Sequence, residues 1–155
     1  MDMDATIFRA YDVRGTVPDQ LNPAVVQALG QAIGSLAKSR GETTVVTARD
    51  GRLSGESLQS ALNEGLKAAG VDVINIGMVP TPVLYFAALT LGTGSGVMVT
   101  GSHNPPDYNG FKMMIAGHTL YGDDITGLYQ ALIENRLVKG QGAEPQADAL
   151  TPYLE

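Results

Sequence analysis

The chain has 155 residues, enough for one hydrophobic core and short for two. Its 10 Lys and Arg stand against 16 Asp and Glu, and a net charge of −6 disfavours nonspecific nucleic-acid binding. No cysteine is present, which excludes disulfides and thiolate chemistry and fits a cytoplasmic protein, and no apolar run approaches the about 20 residues of a membrane helix.

The elements alternate in type. Residues 7–11 read as a first strand. Asn22 and Pro23 start a helix, since Asn can cap and Pro suits the first turn. Val25, Val26, Leu29, Ile33 and Leu36 keep helical spacing to about Arg40, and Gly41 ends the run. TTVVTA at residues 43–48 is a strand. Ser54 is placed to cap a helix reaching Ala69, with Leu58, Leu62 and Leu66 on one stripe and Gly70 as its stop. VDVINI at 71–76 alternates like a strand.

Pro80 and Pro82 open a short helix to about Leu91. Residues 95–100 form a strand that delivers a polar loop, and 111–115 form a strand that leaves it. Asp123 caps a helix to about Arg136. Residues 1–138 therefore read as one domain. Residues 139–155, rich in Gly, Gln, Ala and Asp from 139 to 149, read as a linker or frayed end. Alternating β and α elements predict an α/β fold of three α/β/α layers. The hairpin-like relation of the strands around the polar loop predicts a small mixed sheet.

Residues 100–112 read TGSHNPPDYNGFK. The stretch gathers a hydroxyl (Ser102), an imidazole (His103), an amide (Asn104), two successive prolines and an exit lysine (Lys112). A core does not need this collection, whereas a loop holding a reactive side chain in one place does. The prolines fix φ, and Asn109-Gly110 suits a tight turn. In an extended segment adjacent side chains point apart, so His103 is poorly placed to deprotonate Ser102 directly. An anionic ligand meeting this acidic chain needs a local cationic spot, for which Arg14, Arg52 and Lys112 are the candidates in the loop motifs. His118, in the turn AGHT, reads as an ordinary exposed residue.

The stretch resembles the phosphoserine loop of the α-D-phosphohexomutases, and most of all that of the phosphomannomutase/phosphoglucomutase group. FRAYDVRG at residues 8–15 and ARDGRLSG at 48–55 are similar to two further signatures of that family, in family order. The resemblance covers essentially the whole chain and implies the first of four domains, a small mixed sheet between helices. It implies that Ser102 carries a phosphoryl group, passes it to a hexose monophosphate and takes one back from the other end of the bisphosphate. Mannose or glucose 1- and 6-phosphates are the implied substrates. Lys112 is the implied acid/base beside the reacting hydroxyl, and His103 the implied partner of substrate or reacting phosphate. Tyr11, Arg14 and Asn104 are implied to bind substrate or phosphate, with arginine suited to bidentate contact.

Mg²⁺ is the implied cofactor, met in this chain only through the phosphate on Ser102, because no DGDGD-like run is present. Asp50 and Arg52 are expected to brace either the phosphoserine loop or a domain interface. The resemblance implies further domains of the same enzyme as partners, a monomer, and an isolated segment without turnover. Two other readings stand beside it. A serine hydrolase or phosphatase would need a base and an oxyanion hole, and neither His103 nor His118 lies in a GxSxG context. A non-catalytic binding module would carry no phosphate on Ser102.

Overall fold

In the computed structural model, residues 3–91, 94–101, 104–145, 147 and 154 are described. A 3₁₀ turn at Ala5–Ile7 is followed by β1 (Val13–Thr16), α1 (Pro23–Ser39), β2 (Thr44–Arg49), α2 (Gly55–Ala68) and β3 (Asp72–Met78). Then come α3 (Thr81–Thr90), β4 (Gly96–Val99), β5 (Tyr108–Ile115), β6 (His118–Thr119) and α4 (Asp123–Ile133). The strands form one sheet in the order β1-β5-β4-β2-β3, with β6 paired to β5. β2 runs parallel to β3 and β4, whereas β5 is antiparallel to β1, β4 and β6. The expected mixed sheet is present.

Alternation along the strands sorts the core. Val45, Val97, Val99, Phe111 and Met113 join α1, α2 and α4 in one buried cluster. Val46, Ala48 and Met98 point the other way and pack against Val83, Leu84 and Ala87 of α3. The layers are therefore α1/α2/α4, sheet, and α3. Because α3 packs on β2 and β4, it leaves the same face of β1 and β5 to other uses.

Helix α1 begins as its sequence requires, with the Asn22 side chain accepting the Val25 amide at 3.0 Å. Three other starts differ from expectation. Residues 7–11 are not a strand. Asp4 accepts the Thr6 amide at 2.9 Å and closes the 3₁₀ turn, and the strand begins only at Val13. Ser54 makes no side-chain cap bond, because its hydroxyl accepts from Asn109 Nδ2 at 2.9 Å instead. Gly122, not Asp123, is the cap of α4. That position has φ 53°, where a Cβ is unfavourable, and Asp123 and Asp124 sit in the first turn, where negative charge suits the helix dipole.

The stretch after residue 138 is not loose where it is described. Gly140 and Gly142 amides donate to the Ala68 and Lys67 carbonyls at 2.8 and 2.9 Å. The Ala143 and Pro145 carbonyls then accept from Val73 and Asn75 of β3 at 2.8 and 3.1 Å, and the Ala147 amide returns to the Asn75 carbonyl at 3.1 Å. Residues 143–145 and 147 thus lie beside β3 in its own direction. Composition hid this strap, because backbone groups rather than apolar side chains hold it.

Candidate functional site

β1 and β5 place two of the three candidate cations, Arg14 and Lys112. Val13 pairs with Phe111 and Arg14 with Gly110, and both Val13 and Phe111 face the core. One residue along, Arg14 and Lys112 must project from the opposite face, the one α3 leaves open. Both line a cavity of about 360 Å³ there, together with Arg9, Tyr11, Asp12 and Tyr85. Arg14 also lines a neighbouring cavity of about 270 Å³ with Arg9, Asn104 and Tyr108. It stands between the two spaces.

The FRAYD segment reaches this face because several contacts hold it. The Arg9 amide donates to the Asp12 carbonyl at 2.9 Å, and the Gly122 amide to the Ala10 carbonyl at 2.7 Å. Phe8 packs on Tyr129 of α4 with ring centroids 5.2 Å apart. Tyr11 is left 72% exposed, so the molecule spends a large aromatic side chain on the surface of the cavity. Asp12 lies 3.6 Å from Arg14 Nε, which has no hydrogen-bond partner among the described residues although the atom is buried. Arg14 Nη1 reaches Asn104 Oδ1 at 3.5 Å, a long contact. The guanidinium therefore keeps donor capacity unspent beside the cavity.

The polar loop is tied on both sides of its unassigned centre. Ser102 and His103 lie outside the described residues. Before them, Asp50 Oδ2 accepts from the Thr100 hydroxyl at 2.8 Å and from the Gly101 amide at 3.1 Å. After them, the Arg52 guanidinium donates to the carbonyls of Asn104, Pro105 and Tyr108 at 2.7, 2.6 and 3.1 Å. Asn104 closes the turn by donating from Nδ2 to the Gly101 carbonyl at 3.0 Å. Asp50 and Arg52 are linked in turn, with the Arg52 amide donating to Asp50 Oδ1 at 3.1 Å. Of the two expectations for this pair, contact with the loop is the one the geometry realises.

Arg9 and Tyr85 were not singled out from sequence. Arg9 sits inside the FRAYDVRG signature, two residues before Tyr11, which is a signal that could have found it. Tyr85 gives none, since a tyrosine on a short apolar helix reads as core. Burial pushes its phenol above the ordinary range. His118 is exposed on β6, as its sequence context implies.

A larger cavity of about 640 Å³ lies at the opposite sheet edge, lined in part by Arg49, Gln59, Asn75 and Glu144. Its side chains bond to one another. Arg49 donates to Gln59 at 2.9 Å, Gln59 donates to Thr47 and Asn75 at 3.0 Å, and Asn63 and Asn75 donate to Glu144 at 3.3 Å. Such a network satisfies buried polar groups rather than a ligand. Among the described residues, no group of three His, Cys, Asp or Glu could hold a metal ion. Asp50, the carboxylate that grips the loop from just after β2, is committed to Thr100, Gly101 and Arg52. The described side chains alone do not form a Mg²⁺ site. Among them, no helix is long and apolar enough to cross a membrane.

A family model described as phosphoglucomutase/phosphomannomutase, alpha/beta/alpha domain I, matches residues 5–138. A phosphomannomutase/phosphoglucomutase of Pseudomonas aeruginosa is 50% identical over 153 residues, which are 99% of this chain and 33% of that protein. A phosphoglucomutase of Neisseria meningitidis serogroup B is 45% identical over 151 residues, 96% of this chain and 33% of that protein. A crystal structure of a phosphoglucomutase/phosphomannomutase family protein from Burkholderia thailandensis superposes with a TM-score of 0.95 at 49% identity. It covers 99% of this chain and 35% of its own. The chain spans about a third of the length of the curated relatives it matches.

Proposed function

Since the chain belongs to the phosphoglucomutase/phosphomannomutase domain I family, we propose that it is the N-terminal domain of a phosphohexomutase. The enzyme interconverts hexose 1- and 6-phosphates, with mannose or glucose as the hexose, through a phosphoserine at Ser102 and a bisphosphorylated sugar. The observation that carries this reading is the convergence of Arg14 and Lys112 on one open cavity beside a loop tied at both ends. Phosphoryl transfer asks chiefly for positioning and charge neutralisation, and this face supplies part of each.

In the forward half-reaction a sugar hydroxyl oxygen bonds to the phosphorus on Ser102, and the bond from phosphorus to the serine oxygen breaks. Lys112 takes the proton of the attacking sugar hydroxyl and delivers it to the departing serine oxygen, and in the second half-reaction the same amine takes the Ser102 hydroxyl proton and delivers it to the departing sugar oxygen. Arg14 pairs with phosphate oxygens through its unspent donors. His103, Tyr11 and Asn104 contact substrate or phosphate. Mg²⁺ supplies charge neutralisation when bound. Phosphorylated Ser102 would be this segment's share of the ligands that hold it. A cytoplasmic setting goes with the cysteine-free composition and a sugar-phosphate substrate.

Phosphopeptide mapping of the full-length protein carrying this segment tests the reading. Phosphate on Ser102, and loss of most turnover in Ser102→Ala with the melting temperature held, is the expected result. Phosphate on another residue, with full activity in the alanine variant, overturns it.

A further inference from the structure

We infer that Arg52 is a positioning residue for the phosphoryl transfer proposed above: its guanidinium holds the backbone of residues 104–108 so that the loop carrying Ser102 presents one geometry. The inference rests on the mutase reading and goes beyond it: among the described residues, Arg52 lines a cavity with Leu53, Asn104 and Pro106 rather than the one Arg14 and Lys112 share. Three features carry it. First, one planar cation gathers three carbonyls, from Asn104, Pro105 and Tyr108, within 3.1 Å. Arginine's rigid fork can serve several acceptors at once, whereas a lysine ammonium is a compact point charge on a flexible stem.

Second, Asp50 holds the opposite end of the loop and accepts the Arg52 amide, so the two grips share one anchor after β2. β2 is a central strand of the sheet, bonded to both β3 and β4. The loop is thus referred to a rigid element rather than to its own prolines alone. Third, Gly101 has no room for a side chain. The place a Cβ would occupy is already filled by the Arg52 side chain. With the Arg52 side chain in this place, position 101 has to be glycine, because a Cβ there would displace the guanidinium from its carbonyls.

A displacement of about 1 Å at a reacting centre can cost on the order of a hundredfold in rate. The test uses the full-length protein carrying this segment, with steady-state kinetics on hexose phosphate and amide exchange followed by NMR. In Arg52→Met, kcat is expected to fall about a hundredfold with KM within about threefold, as for lost positioning rather than lost binding. Amides of Asn104 and Tyr108, which bond within the loop, are expected to exchange at least about tenfold faster. Arg52→Lys should recover part of both. Gly101→Ala should reproduce the loss in the unsubstituted protein and add little to Arg52→Met, since contacting residues are non-additive.

A fall in kcat without faster exchange overturns the positioning role, because Arg52 would then act on the substrate itself. Faster exchange with unchanged kcat, or no change in either, overturns it as well. A strictly additive Gly101→Ala effect does the same. Absence of turnover in the unsubstituted full-length protein overturns the mutase reading instead, which is a different outcome from turnover that ignores Arg52.

Discussion

Gly65 of α2 lies against Gln27 of α1 so closely that a methyl group on Gly65 would overlap the Gln27 carbonyl oxygen. Gly30 of α1 stands in the same relation to the Leu62 carbonyl. The two helices cross backbone to backbone, which only residues without side chains allow.

Alanine at Gly65 should therefore destabilise the fold, although alanine is the better helix former by about 1 kcal/mol. Overlap with a backbone atom that cannot rotate away dominates. The expected cost is roughly 1–3 kcal/mol, the range for overpacking. Gly127 of α4 has open space around its Cα and is exposed. Alanine there should stabilise by about 0.5–1 kcal/mol. Urea melts of both variants give the comparison. A Gly65→Ala protein as stable as Gly127→Ala would refute the close crossing.

Replacement of Lys112 by Met in the full-length protein should slow phosphoryl transfer by about a hundredfold or more, the lower range for a general acid/base. Sugar-phosphate affinity should change less. Single-turnover transfer from the phosphoenzyme is the measurement, and an unchanged rate would reduce Lys112 to a surface charge.

The strap should respond to pH at one pin. Glu144 accepts from Lys67 Nζ at 3.0 Å and from Asn63 and Asn75. Burial opposes its charge, but the bonds from Lys67, Asn75 and Asn63 prevail and hold its carboxyl below the ordinary value. Lys67 is held above its ordinary value by its bond to Glu64 and then Glu144, with burial opposing. A depressed carboxyl contributes stability at neutral pH that is lost as pH falls through its folded value. A raised amine contributes stability that is lost as pH rises through its folded value. Docking of residues 140–145 should hold across the neutral range and weaken below the usual carboxylate range. Amide shifts of Val73 and Ala143 report it, and Glu144→Gln should flatten the acid limb. An acid limb unaltered in Glu144→Gln would assign the effect elsewhere.

This segment by itself should melt cooperatively and show no mutase turnover. It holds Arg14 and Lys112 but no metal-binding cluster among its described residues, and charge neutralisation carries much of such a reaction. A coupled assay beside a thermal melt decides it. Turnover near that of a full-length relative would show that one domain suffices.

Much of the fold was legible because local chemistry and global need agreed. Asn22-Pro23 and the spacing from Val25 to Leu36 specify α1 from either direction. The loop at residues 100–112 was legible from its reactive residues, and its neighbours as strands from their apolar runs. Residues 7–11 were not, because an apolar start looks like a strand until Asp4 turns the backbone. Asp50 and Arg52 were visible as a brace, but not whether of the loop or of a domain interface, since most of their partners are backbone groups about 50 residues later. Backbone partners leave no mark on side-chain pattern. The same holds for Ser54, whose role depends on Asn109.

The strap along β3 settles what the protein shows to its neighbours. β3 is the last strand of the sheet, and its outward Val73 and Asn75 amides are occupied by the Ala143 and Pro145 carbonyls. Bare, those groups would form a ready template for a strand from another copy, the usual route to edge-to-edge aggregation. A chain trimmed where the family match stops, at residue 138, would keep every helix and strand described here and still become adhesive. The polar, glycine-rich stretch acts as the sheet's selvedge, its few backbone bonds finishing the edge that β3 would otherwise leave open.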